Sequence, residues 1–301
     1  MITVLTWLWA QPGGRTIYGS HHVCIWADMI RRNLTIPHQL VCVTDEQLDL
    51  PSHIEVIRPP GDFTDVRIPS WPEYRPQCLR RLSMFRPDAA EIFGPRFVCT
   101  DLDLVVGGNL DPLFSTKDKF RICKGTAESR PYNGSMFILT AGARAKVYSK
   151  FTPEAAVKAG RRFVGSDQAW IAHCLPAERT WSEPDGVVFF GVPREIEAAP
   201  RIMFFAGKTK PWMRLQEPWI GDHYRLNASG RCLVLGYSPS VWDDLELAQG
   251  PFDGVIASPE VAEHWPGELT AIASDDMDAA QLAHMHGFDE TVWCGKTRRE
   301  V

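Results

Sequence analysis

The stretch Phe97-Val98-Cys99-Thr100-Asp101-Leu102-Asp103-Leu104-Val105-Val106-Gly107-Gly108 decides how this chain is read. An apolar run of strand type delivers two carboxylates one residue apart, continues as strand, and stops at a double glycine. Side chains at i and i+2 of an extended segment point the same way, which would place Asp101 and Asp103 on one face. Two carboxylates so placed suit one hard cation, Mg²⁺ or Mn²⁺. A divalent ion at a sheet edge would clamp a diphosphate, because it neutralises the charge that builds on a departing phosphate.

The segments on either side give this strand its company. Ile2 to Trp9 reads as a buried first strand, followed by the Gly-rich loop Gln11-Pro12-Gly13-Gly14-Arg15. A helical pattern runs from Ser20 to Asn33, with Val23, Ile25, Trp26, Met29 and Ile30 as its apolar stripe. His38 to Asp45 and Ile54 to Ile57 are two more strands, and this βαβ rhythm favours a parallel sheet with helices on its faces. Pro59 to Pro76 reads as a loop and Cys78 to Arg86 as a short helix. Beyond the acidic pair, Asn109 to Phe114 turns into a short helix, Ser135 to Thr140 is a strand and Ala141 to Phe151 a helix. Phe163 to Cys174 holds the Gly165-Ser166-Asp167-Gln168 turn and a helix with Asp167 near its start, where a carboxylate is favoured. Val187 to Val192 and Ile202 to Ala206 are further strands.

A boundary is expected at Asn227-Ala228-Ser229-Gly230, between a main domain of residues 1–226 and a small βαβ-type module of residues 230–301. The strands of that module are Cys232 to Gly236, Phe252 to Ala257 and Glu290 to Cys294, with a helix over Asp278 to Gly287.

Composition narrows the class. The chain has 301 residues, 45% hydrophobic and 23% charged, as an ordinary globular protein does. A net charge of −5 argues against a general nucleic-acid binder, which is usually basic. The eight cysteines form no CxxC pair and no His/Cys cluster at zinc spacing, which suits reduced thiols and a cytoplasmic location. The apolar N-terminus lacks a basic leader, and no segment reaches the roughly 18 apolar residues of a transmembrane helix.

Three further clusters carry chemistry. Gly207-Lys208-Thr209-Lys210-Pro211-Trp212 sets two lysines beside a glycine turn, which suits phosphate oxygens or a solvated surface loop equally. Tyr132-Asn133-Gly134-Ser135 offers an amide and a hydroxyl to sugar hydroxyls, or caps a turn. Gly165-Ser166-Asp167-Gln168 has helix capping as its plain alternative. His21 and His22 fit surface or capping roles, and Trp71, Trp212 and Trp219 are stacking surfaces for a sugar or base.

In this order, the pieces over roughly residues 1–226 resemble the nucleotide-sugar glycosyltransferases of the GT-A type. The likeness is nearest to the glycogenin-like family 8 group and its bacterial and viral relatives. It rests on the first strand, Arg31-Arg32-Asn33-Leu34, Val43-Thr44-Asp45 and Cys78 to Pro87. It continues through Asp101/Asp103, Asn133-Gly134-Ser135, Asp167-Gln168 and Gly207 to Trp212. The resemblance implies a Rossmann-like α/β fold with a mixed, mainly parallel sheet. It also implies a nucleotide-diphosphate sugar as donor, a UDP-sugar foremost, and retention at the anomeric carbon. It places Thr6 and Trp7 by the nucleotide, Arg81 by the diphosphate and sugar, Asp101 and Asp103 on Mn²⁺ or Mg²⁺, and Asn133 and Ser135 in the sugar pocket. Asp167 and Gln168 fall at the reacting sugar, and Lys210, with Gly207 and Lys208, on the leaving diphosphate.

The chain departs from that pattern at Phe204, where the family has a metal-binding histidine, and a phenyl ring ligates nothing. The remaining ligands would be Asp101, Asp103, phosphate and water, or a residue from elsewhere such as His223. The expected activity is glycosyl transfer to an acceptor hydroxyl on a glycan, a protein, a small molecule or a modified DNA base. The alternatives are a non-catalytic nucleotide-sugar or glycan-binding protein and, third, a nucleotidyltransferase.

Overall fold

A computed structural model describes residues 1–10, 16–69, 71, 75, 77–227, 231–236, 241, 244–245, 248, 252–288 and 290–295. The expected loop at 11–15 lies outside these residues. The chain divides into two compact units, Met1–Lys210 and Pro211–Val301.

The first unit is built on a seven-stranded sheet. Its N-terminal half follows the expected βαβ rhythm: β1 (Ile2–Leu8), α1 (Ser20–Asn33), β2 (His38–Thr44) and β3 (Ile54–Ile57). All seven residues of β1 are buried, as a strand covered on both faces requires. Helix α1 turns Val23, Ile25, Trp26, Ala27, Met29 and Ile30 inward. The chain then passes through the 3₁₀ helix Leu79–Phe85 and α2 (Ala89–Phe93) and returns as β4 (Arg96–Thr100). Strand β4 pairs with β1 on the side opposite β2, in parallel, with Thr6 in register with Thr100. Two strands absent from the sequence reading or shorter there, β6 (Phe120–Ala127) and β7 (Arg130–Thr140), complete the sheet with β8 (Thr180–Trp181) in the order β3-β2-β1-β4-β7-β6-β8. Four of its pairings are parallel and two, β4 with β7 and β6 with β7, are antiparallel. The mainly parallel α/β architecture is therefore the one expected. The strand order reverses between β1 and β4, and ligands of open α/β sheets bind outside the carboxyl ends of the strands at such a switch.

The stretch 97–106 is not one continuous strand. It leaves the first sheet after Thr100, bends through Asp101-Leu102-Asp103, and resumes as β5 (Leu104–Val106) in a second, three-stranded sheet. There β5 pairs with β10 (Ile202–Phe204), which also pairs with β9 (Val187–Phe189). Two backbone bonds fix the crossover: Asp101 N–H donates to the Ser135 carbonyl (2.8 Å), and Phe205 N–H to that of Asp103 (2.8 Å). The helix expected over Ala141 to Phe151 shrinks to α4 (Lys146–Ser149), which follows the short α3 (Asp111–Phe114) in the chain. Thr152 then caps α5 (Pro153–Arg162), an element the sequence reading lacked; its side chain accepts from Ala155 N–H. Helix α6 (Asp167–Cys174) closes this part of the unit.

The second unit begins earlier than expected. Residues 211–227 belong with it because Leu226 N–H donates to the Met285 carbonyl (2.9 Å) and His284 Nε2 lies 2.6 Å from the Gly221 carbonyl. These residues include α7 (Pro218–His223). The rest is an all-parallel sheet, β13-β12-β11-β14, formed by β11 (Arg231–Leu235), β12 (Gly254–Ala257), β13 (Ala271–Ile272) and β14 (Glu290–Cys294). Helices α8 (Pro259–Ala262) and α9 (Asp276–Met285) connect its strands, as parallel pairing demands.

Candidate active site

A cavity of about 590 Å³ opens where β1 and β4 end, at the switch point, and residues of the first unit line it. Trp7, next to Thr6 and one residue before the end of β1, lines it, and so does Asp101, which follows β4. Asp103, Asn133, Ser135, Asp167, Gln168, Arg81, Gly207, Lys208 and Lys210 line the same cavity. Thr6 does not: it is fully buried within the sheet, and its hydroxyl has no hydrogen-bond partner among the described residues.

Arg81 is the hub. The 3₁₀ helix Leu79–Phe85 buries its side chain, and four groups share its guanidinium, one of them Cys99 Sγ at 3.4 Å from Nη2. Nη1 donates to Asp101 Oδ1 (2.8 Å), Nη2 to the Gly134 carbonyl (2.7 Å), and Nε lies 3.7 Å from Asp167 Oδ2. Burial works against the charged guanidinium, but Cys99, Asp101 and Asp167 together hold its pKa well above the ordinary arginine value. Asp101 and Asp167 both titrate above the usual carboxylate range, because withdrawal from water outweighs the attraction of Arg81.

In place of the expected turn, residues 132–135 lie within strand β7, which presents the polar groups where its register with β6 shifts between Asn133 and Phe137. Asn133 Oδ1 accepts from Ser135 N–H (2.8 Å), and Gln168 Oε1 accepts from Gly134 N–H (3.2 Å). Gln168 Nε2 donates to the Val164 carbonyl (2.9 Å), so this amide ties the start of α6 to β7. Asp167 is not merely a cap. Its Oδ1 accepts from Gln168 N–H (2.9 Å), whereas Oδ2 is buried with no hydrogen-bond partner among the described residues.

Asp103 faces a second cation. Lys210, 1% exposed, pairs with Asp103 Oδ2 and also donates to the Phe205 carbonyl (3.3 Å). Tyr18 Oη donates to the same Asp103 oxygen (3.2 Å). Tyr18, Arg75 and Arg130 also line the cavity. The sequence reading missed all three, because none stands in a motif and the backbone alone brings them there.

These side chains do not fit the divalent ion expected on Asp101 and Asp103. Each carboxylate is already held by a fixed cation, Arg81 or Lys210. Phe204 is fully buried in the second sheet, 5.7 Å from the Phe189 ring. His223, the substitute ligand, packs edge-on against Trp219 within the second unit. Among the described residues no group of three or more His, Cys, Asp or Glu is placed to hold a metal. Trp71 lines the cavity, whereas Trp212 neighbours Tyr224 in the second unit. His22 proves to be a cap: its Nδ1 accepts from Gly19 N–H (3.1 Å), and burial lowers its pKa to about 4. No helix among the described residues is long and apolar enough to cross a membrane.

No protein-family model and no curated protein sequence matches the chain. Among solved structures it is similar to the galactosyltransferase LgtC, determined in complex with donor and acceptor sugar analogs. That likeness has 12% identity and a TM-score of 0.48, over 71% of this chain and 90% of LgtC. It is also similar to the glycosyltransferase GlyE of Streptococcus pneumoniae TIGR4, at 11% identity and a TM-score of 0.47, over 98% of this chain and 81% of GlyE. A third likeness, at 10% identity and a TM-score of 0.46, is to the bifunctional glycosyltransferase WbbM, over 70% of this chain and 46% of WbbM.

Proposed function

We propose that the chain transfers a glycosyl group from a nucleoside-diphosphate sugar, a UDP-sugar foremost, to an acceptor hydroxyl. One observation carries the reading: a single cavity at the switch point joins the aromatic Trp7, the buried cations Arg81 and Lys210, and the buried carboxylate Asp167, whose Oδ2 pairs with Arg81 but makes no hydrogen bond among the described residues. Trp7 supplies a flat apolar face for a base. Arg81 and Lys210 supply charge where a departing diphosphate gathers it, in a setting shielded from water. Asn133, Ser135 and Gln168 supply donors and acceptors for sugar hydroxyls, and Asp167 Oδ2 accepts from one of them.

In the reaction the bond from the anomeric carbon to the phosphate oxygen breaks, and a bond to the acceptor oxygen forms. The electron pair leaves on the diphosphate, and the acceptor proton passes to the departing phosphate oxygen. Retention at the anomeric carbon is part of this proposal. It would place the acceptor on the face the phosphate leaves, where Asp167 and Gln168 orient the sugar.

The test is release of free nucleoside diphosphate from a panel of UDP-, GDP- and ADP-sugars by the full chain, with loss of release in Asp167→Asn. Release from one donor supports transfer. Tight nucleotide binding without release, with or without added sugar acceptors, would favour a binding protein instead.

A further inference from the structure

We infer that this chain grips the diphosphate without a divalent ion, with Lys210 standing in the ion's place. The inference rests on the nucleoside-diphosphate reading above and adds how that group is held.

The ammonium of Lys210 is built into the site rather than laid over it. It is 1% exposed, pairs with Asp103 Oδ2 and donates to the Phe205 carbonyl. An ammonium has three N–H donors and no acceptor. With two directed at protein oxygens, the third remains for a phosphate oxygen. A divalent ion seated on Asp103 would meet this buried positive charge at contact range, and like charges so close repel strongly away from water. Tyr18, the second group on that carboxylate, donates to the same oxygen. Asp101 is equally committed, to Arg81.

The rest of the expected coordination shell is missing from the sequence itself. Ile202-Met203-Phe204-Phe205-Ala206-Gly207, the segment leading to the lysine loop, has no side chain with an oxygen or nitrogen donor. The thioether of Met203 is a soft group that Mg²⁺ and Mn²⁺ do not favour.

Charge balance agrees. The cavity wall carries five cationic side chains, Arg75, Arg81, Arg130, Lys208 and Lys210, against three carboxylates. The excess of two positive charges is what a divalent ion would otherwise bring, and it matches the pair of negative charges on a diphosphate diester.

Calorimetry of UDP, and of GDP and ADP in parallel, with the full chain tests this. One arm contains EDTA, and the others Mn²⁺ or Mg²⁺. Mn²⁺ titrated into the chain alone is followed by electron paramagnetic resonance. The expected result is a dissociation constant that changes by no more than about twofold between EDTA and Mn²⁺. In Lys210→Met, binding should weaken by about tenfold or more, with no rescue by Mn²⁺. Nucleotide binding that appears only with a divalent ion overturns the inference and leaves the transferase reading intact. Mn²⁺ bound by the chain alone and lost in Asp103→Asn overturns it likewise. No binding of any of the three nucleotides in any arm overturns both. The EDTA comparison uses the unaltered chain, so its answer does not depend on how a variant folds.

Discussion

The guanidinium of Arg81 holds Asp101 by a 2.8 Å contact while its Nε lies 3.7 Å from Asp167, so one buried cation answers two carboxylates. Removing it leaves both without compensation and frees the Gly134 carbonyl that Nη2 holds. Breaking a buried pair by deleting one partner typically costs about 3–5 kcal/mol. Asp101 keeps 30% of its side chain exposed, which points to the lower end, so Arg81→Gln is expected to cost about 3 kcal/mol. Urea unfolding with an unchanged slope would measure it. A loss below about 0.5 kcal/mol would mean that water already screens these charges.

Asp167 gives a pH signature. Its pKa lies above the ordinary 3.8 because burial outweighs the pull of Arg81. The native state therefore binds a proton that the unfolded chain releases. Stability from this group is fully present below 3.8 and is lost as pH rises through the folded value. Asparagine does not titrate, so the melting temperature of Asp167→Asn relative to the parent should climb as pH is raised from about 4 and then level off. A gap that stays flat, or narrows over that range, would contradict the assignment.

The sheet and the order of the site segments were legible because each signal was local. Strands β1, β2 and β14 show their apolar runs, and α1 its stripe. Asp167 is marked by its place near a helix start and Lys210 by its place beside a glycine turn. The crossover at Asp101-Leu102-Asp103 was not legible, since an alternating apolar run looks the same whether its halves lie in one sheet or two. Nor was the commitment of each carboxylate to a cation: Lys210 is 107 residues from Asp103, and Tyr18 is 85. Strand β6 escaped notice because only its first half is buried, and its polar second half carries no period. The sequence names Thr6 and Trp7 together and does not say which meets the cavity: successive side chains of β1 point to opposite faces, so Trp7 lines the cavity while Thr6 is buried in the sheet.

Gly165 should report on how Gln168 is held. Its φ of +127° is a conformation that side chains resist, and a Cβ there would lie 2.4 Å from Gln168 Cγ. Gly165→Ala is therefore expected to cost about 2 kcal/mol and to push the Gln168 amide away from Gly134 N–H. The comparison is with Gln168→Ala, which removes the amide without backbone strain. Both should lower donor release, and only the glycine variant should also lower the unfolding midpoint by that amount. Equal midpoints for the two would show that the loop relaxes freely.

Phe204→His separates a lost ligand from a rebuilt site. Phe204 lies on β10, between β5 and β9; its ring is fully buried beside Phe189, and its backbone carbonyl accepts from Phe190 N–H (2.9 Å). Replacing it with imidazole removes packed apolar surface and buries a polar ring, which should cost about 3 kcal/mol. Because Lys210 still pairs with Asp103, the variant is expected to bind Mn²⁺ no better than the parent, as paramagnetic resonance would show. The double variant Phe204→His with Lys210→Met is the sharper probe. If it alone gains Mn²⁺ affinity, the lysine is what excludes the ion. If the single histidine already confers it, the ammonium yields to a divalent ion, and the cation-for-metal reading of this site falls.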